Sequence, residues 1–120
     1  MKIAFDVDDT LIVPSVAIPR VESEGIMWLD GVPNYPVIDV YRFFKGQGHH
    51  MIVWSGGGID YAKKQAAKLG LDPDEIRAKI KSPDIDIAFD DCDVDLAKVN
   101  IRVKRVNNSI SRKEWNEKKK

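Results

Sequence analysis

The chain has 120 residues, 43% of them hydrophobic and 32% charged, with 19 Lys and Arg balanced by 19 Asp and Glu. That length suits one α/β domain burying roughly two thirds of its unfolded surface, and the composition excludes a disordered or membrane-embedded chain and any argument from net charge. The single cysteine, Cys92, excludes an intramolecular disulfide and a thiolate zinc cluster, while the opening MKIAFDVDDT fits neither a signal peptide nor a membrane span, so a cytoplasmic setting is the default expectation.

Lys2 to Val7 reads as a buried strand, because Ile3, Ala4, Phe5 and Val7 form the near-continuous apolar run of a sheet covered on both faces. Residues 11–35 show no sustained period and carry Pro14, Pro19, Pro33, Gly25 and Gly31, which predicts a flap inserted into the domain. Trp28 within it is suited to stacking on a base, covering a site or anchoring the flap. Pro36 stands at a first helical position, and Val37, Val40, Tyr41 and Phe44 repeat at helical spacing until Gly46 and Gly48.

Met51 to Trp54 predicts a second strand, and a helix over about 60–69 follows the triple Gly56-Gly57-Gly58 and closes at Gly70. Asp72-Pro73-Asp74-Glu75 reads as a short helical turn and Ala78 to Lys81 as a third strand. Ile85 to Phe89 is a fourth strand, and Ile101, Val103 and Val106 mark a last strand near the sheet edge. The alternation predicts an α/β class: a single Rossmann-like three-layer domain, with a mostly parallel five-stranded sheet, over residues 1–107. Residues 108–120 form a polar, basic tail, read first as solvated chain and only second as a nucleic-acid contact.

Ligands of open α/β sheets gather beyond the carboxyl ends of the strands. Asp6 and Asp8, Ser55, Lys81, and Asp90 with Asp91 all stand at such expected ends. One carboxylate of the first pair can attack phosphorus while the other gives a proton to the leaving oxygen and later takes one from water. Carboxylates crowded this way call for a hard cation with oxygen ligands, with Mg²⁺ the first candidate and Asp6, Asp8, Asp90 and Asp91 the candidate ligands. The Ser55 hydroxyl and the Gly56 and Gly57 amides are suited to phosphate oxygens, and Lys81 supplies a full positive charge.

Four ordered elements, IAFDVDDT, MIVWSGG, Lys81 in KIKSP, and DIAFDD, resemble the motifs of the haloacid dehalogenase (HAD) superfamily of phosphatases across nearly the whole chain. The resemblance implies that Asp6 is the nucleophile, Asp8 the general acid/base, Thr10, at the last position of the first motif, and Ser55 phosphate ligands, and Asp90 and Asp91 metal-binding acids. It also implies a charge-neutralising lysine, for which Lys81 is preferred although Lys79 suits the sequence equally. Asp9 stands where many members have Gly. Neither motif interval is long enough for a cap domain, so the likeness is to capless members, whose open site admits bulky substrates or is closed by another subunit.

Asp91-Cys92-Asp93-Val94-Asp95 begins like a calcium loop, but Leu96 and Arg102 replace its Gly and bidentate Glu, which excludes an EF-hand. His49 and His50 lack a second ligand pair and read as surface residues, and Cys92 as a small buried hydrophobe. The leading functional expectation is phosphomonoester hydrolysis on a phosphorylated small molecule or macromolecule. A second places nucleotide or nucleic-acid phosphate ends in the same site, and a third is a non-catalytic phosphate- or Mg²⁺-binding regulatory module. No membrane partner is expected, and oligomeric state stays open.

Overall fold

The apolar run at the start of the chain becomes the middle of a parallel sheet. In a computed structural model, which describes residues 1–14 and 31–105, the elements are β1 (Lys2–Asp6), β2 (Ile12–Pro14), β3 (Gly31–Pro33), α1 (Tyr35–Gly46), β4 (His50–Trp54), α2 (Ile59–Lys68), β5 (Glu75–Ile76), β6 (Ile87–Asp90) and β7 (Val99–Arg102). Five strands form one sheet in the order β5-β4-β1-β6-β7, and every neighbouring pair is parallel. All the carboxyl ends therefore face one edge. The order reverses between β1 and β6, where an α/β sheet opens its crevice.

Alternation along the strands sorts the core. Ile3, Phe5, Val7, Met51, Val53 and Phe89 pack with Ile38 and Tyr41 of α1 and Ala62 and Ala66 of α2, so both helices lie on one face. Phe5 stacks on Phe89 with centroids 4.4 Å apart and meets the Tyr41 ring edge-on at 5.2 Å. On the opposite face Ala4, Ile52, Trp54 and Ala88 are covered by Ile85, Leu96 and Ala97. Among the described residues, then, this second face is covered by loop.

The segment expected as a helical turn at 72–75 forms no helix: Asp72 is left-handed at φ 47° and Glu75 already opens a strand. Asp74 exchanges two hydrogen bonds with Met51, its amide donating to the Met51 carbonyl at 3.0 Å and its Oδ2 accepting the Met51 amide at 2.8 Å. This clamps the chain beside β4, and the third strand forms at Glu75–Ile76, ahead of the expected 78–81. The last strand is Val99–Arg102, Val103 continuing alongside through its amide to the Asp90 carbonyl at 2.7 Å. The ends of the expected flap form an antiparallel pair, Ile12 opposite Pro33 and Val13 opposite Val32. Trp28, Val106 and the 108–120 tail lie outside the described residues. No helix among the described residues is long and apolar enough to cross a membrane.

Candidate active site

The parallel register brings the carboxyl ends of β4, β1 and β6 side by side: Asp6 pairs with Trp54, the residue before Ser55, and Asp90 closes β6. Asp6, Ser55, Asp90 and Asp91 are all buried, with Asp6 and Asp90 on either side of the crevice where the strand order reverses.

The chain leaves β1 through a tight turn in which the Val7 carbonyl receives the amides of Leu11 at 2.9 Å and Ile12 at 3.0 Å. Such a turn needs a left-handed residue, and Asp9 supplies it at φ 61°, a conformation that aspartate tolerates better than most side chains. The departure from Gly at this position is thus accommodated. Thr10 is fully buried and its hydroxyl donates to Asp6 Oδ2 over a long 3.4 Å, so it braces the carboxylate from inside. Asn34, before α1, ties the turn down by donating from Nδ2 to the Thr10 carbonyl at 2.9 Å.

Asp8 is turned toward α2. The Tyr61 hydroxyl donates to Asp8 Oδ1 at 2.5 Å, a short hydrogen bond. Burial first, and then this hydrogen bond, push the Tyr61 phenol well above its ordinary pKa, which keeps it a donor. Tyr61 is absent from the sequence reading, because its contact with Asp8 spans 53 positions and nothing in the local pattern marks it.

The glycine triple folds as expected between β4 and α2, with Gly58 at φ 104° before the first helical residue. The Gly57 amide, expected to face phosphate, donates to Ser55 Oγ at 3.0 Å. Since that oxygen accepts, the Ser55 hydroxyl proton is directed elsewhere and is suited to a phosphate oxygen. Gly56 and Gly57 are both exposed, so backbone can come close to a ligand there.

The lysine in the cluster is Lys79. Its ammonium lies 3.1 Å from Asp6 Oδ1 and 2.6 Å from Asp90 Oδ2, bridging the crevice, and its side chain is 17% exposed. Lys81, the preferred candidate from sequence, is 70% exposed and pairs with Asp95 at the surface. The reversal has a backbone cause. β5 ends at Ile76, and a tight turn then closes from the Ile80 amide to the Ala78 carbonyl at 3.0 Å, so Lys79 and Lys81 do not share the side of an extended chain. The approach of Lys79 to Asp90 Oδ2 is an ion pair without hydrogen-bond alignment, and that buried oxygen receives no directed donor among the described residues.

Asp91 is gripped by Arg105, whose Nε donates to Oδ2 at 2.7 Å while Nη2 lies 3.2 Å from the Cys92 sulfur. Arg105 is a second residue missed from sequence, where nothing local sets it apart from Arg102 and Lys104. Cys92 is half-buried beside the acids, and burial followed by Asp91 raises its thiol pKa. His49 contacts the N-terminal amine at 3.0 Å and His50 pairs with Glu75 at 2.9 Å, both half-buried and away from this edge of the sheet.

Burial first, then Asp90, push the Asp6 carboxyl well above its ordinary pKa, and Lys79 opposes the shift without cancelling it. Asp90 is raised by burial too. The cluster therefore carries more buried acid than its lysine offsets. The buried carboxylates of Asp6, Asp90 and Asp91 are of the oxygen-donor type that a hard divalent cation takes. The ligand atoms of Asp90, Asp91 and Cys92 lie within 4.8 Å of one another, but the thiol is too soft a ligand for such an ion. Asp8, expected among the ligands, commits Oδ1 to Tyr61.

No family model, curated protein or solved structure matches the chain.

Proposed function

We propose that the chain is a Mg²⁺-dependent phosphomonoester hydrolase of the HAD type, with Asp6 as nucleophile and Asp8 as general acid/base. The observation that carries this reading is the bridge from Lys79 to Asp6 and Asp90 across the crevice, with Ser55 on the adjacent strand end. A fixed cation between an attacking carboxylate and a neighbouring acid is what a phosphoryl transfer site needs, because charge spreads over three equatorial oxygens as the bond to the leaving group breaks. The order of the motifs and their likeness to HAD phosphatases support the same assignment.

In the first step an Asp6 oxygen attacks phosphorus, the bond to the leaving oxygen breaks, and the proton on Asp8 passes to that oxygen. In the second, Asp8 as carboxylate takes a proton from water, the water oxygen attacks phosphorus, and the bond to Asp6 breaks to return the free carboxylate and inorganic phosphate. Thr10 and Lys79 hold Asp6 in place, and Ser55 donates to the phosphoryl group. Asp6, Asp90 and Asp91 would hold Mg²⁺, which when bound supplies the positive charge that keeps Asp6 ionised and neutralises the transferring group.

The test is Mg²⁺-dependent phosphate release from a panel of phosphomonoesters, including nucleotides and phosphorylated oligonucleotides, comparing wild type with Asp6→Asn. Release that disappears in Asp6→Asn is the expected outcome. Full turnover by Asp6→Asn protein, or no release from any member of the panel, would overturn the assignment.

A further inference from the structure

Asp8 stands on a loop, one residue before the left-handed Asp9, and not on a strand. A carboxylic acid that must deliver a proton to one oxygen of a bound ester has to be held in one orientation, and a loop by itself holds it loosely. We propose that Tyr61 is a positioning residue for this acid: by donating its hydroxyl to Asp8 Oδ1 it orients the carboxyl group for proton transfer. This role rests on the phosphatase reading above and extends it to a residue outside the four motifs.

Two independent features of the structure support it. The hydrogen bond is 2.5 Å long and joins residues 53 positions apart, beyond the ends of the neighbouring strands β1 and β4, so it is not a local capping contact. The Tyr61 ring also lies where a side chain on residue 57 would stand: a Cβ at Gly57 would be 3.1 Å from Tyr61 Cδ2 and 3.4 Å from both Tyr61 Cγ and Ser55 Oγ. Gly57 has no positive φ to require glycine, so the absent side chain is what lets the ring pass. The neighbouring Ala62 is buried against the sheet and anchors the helix turn that carries Tyr61. A rigid helix thus positions a loop carboxylate, which is how a mobile acid gains a defined direction. In the transfer itself the phenol keeps its own proton. The proton on Asp8 moves to the departing oxygen as its bond to phosphorus breaks, and Oδ1, still accepting from Tyr61, shares the charge left behind.

The experiment compares kcat/KM for an alkyl phosphate, whose leaving oxygen must be protonated, with 4-nitrophenyl phosphate, whose leaving group departs as an anion. Wild type, Tyr61→Phe, Asp8→Asn and the double variant are assayed with Mg²⁺, and Gly57→Ala serves as a second perturbation that keeps the hydroxyl but crowds the ring. Tyr61→Phe is expected to lower kcat/KM about tenfold on the alkyl ester, with a several-fold smaller loss on the nitrophenyl ester. Gly57→Ala is expected to show the same bias in weaker form, and Tyr61→Phe to add nothing in the Asp8→Asn background, measured on the nitrophenyl ester. Equal losses on both substrates, or an undiminished Tyr61→Phe effect without Asp8, would remove the role of Tyr61 while leaving Asp6-dependent hydrolysis standing. Turnover that survives Asp6→Asn would instead remove the phosphatase reading and this role with it.

Discussion

Replacing Lys79 by Met tests the centre of the site without touching a carboxylate. The ammonium has two acidic neighbours, Asp6 Oδ1 at 3.1 Å and Asp90 Oδ2 at 2.6 Å, both on buried residues. Methionine keeps much of the chain's bulk but leaves these two acids facing each other, and removing one partner of a buried ion pair costs about 3–5 kcal/mol. That is a large share of a domain stability of roughly 5–15 kcal/mol. The Lys81→Met variant is the internal control. Its partner Asp95 is 74% exposed, and solvent and salt screen such a surface pair, so its loss should leave stability nearly unchanged. The pH dependence has a definite sign. Asp6 already has a raised folded-state pKa, which Lys79 holds down, so the variant raises it further. A carboxyl raised in the folded state favours folding at low pH and loses that contribution as pH rises. The deficit of Lys79→Met against wild type should therefore be largest at neutral pH and shrink on acidification. Urea unfolding of wild type and both variants, at neutral and mildly acidic pH in metal-free buffer, measures this. Equal destabilisation by the two substitutions, or a deficit that grows on acidification, would refute the assignment of Lys79 to the cluster.

Other expected outcomes are simpler. Chelation of divalent cations should abolish phosphate release, and Asp90→Asn should raise the Mg²⁺ concentration needed for half-maximal release, measured by titrating Mg²⁺ back; unchanged release in chelator would contradict the cation site. Glu75 is held down to about 2 by hydrogen bonds from Arg77 and then His50, so its contribution to stability is present above the ordinary carboxylate range and is lost as pH falls from there toward 2. The gap between wild type and Glu75→Gln in urea midpoint should narrow over that window and with added salt, and a gap independent of pH would contradict it. Tyr41→Phe removes the hydroxyl that donates to the Leu71 carbonyl at 3.2 Å in a fully buried setting, and should cost about 1–2 kcal/mol by thermal or urea unfolding.

The parts of the site that follow from chain periodicity were legible in the sequence, and those that follow from turns were not. Ile3-Ala4-Phe5 and Met51 to Trp54 are apolar runs bounded by polar residues, so their ends, and with them Asp6 and Ser55, could be placed before any contact was known. Ile87–Asp90 ends in the same way and places Asp90. The edge strand β5 is only two residues long, its position fixed by the Asp74–Met51 clamp and not by hydrophobic pattern. Without it, nothing local separates Lys79 from Lys81, because the turn that parts them is closed by backbone at Ala78 and Ile80. Tyr61 and Arg105 reach Asp8 and Asp91 across 53 and 14 positions, distances at which a single sequence carries no pairing signal. The glycine triple lies between the two cases: its place before α2 was readable, but the space that Gly57 leaves for the Tyr61 ring belongs to tertiary packing.

The central claim is a covalent step on Asp6, and trapping that intermediate tests it most directly. Wild-type protein is mixed with 4-nitrophenyl phosphate and Mg²⁺, quenched in acid within the first turnover, digested and read by mass spectrometry, with Asp6→Asn and Lys79→Met alongside. Wild type is expected to carry one phosphoryl group on Asp6, Lys79→Met less and Asp6→Asn none. Phosphate release in wild type with no modified Asp6, or a phosphoryl group on a different aspartate, would contradict it.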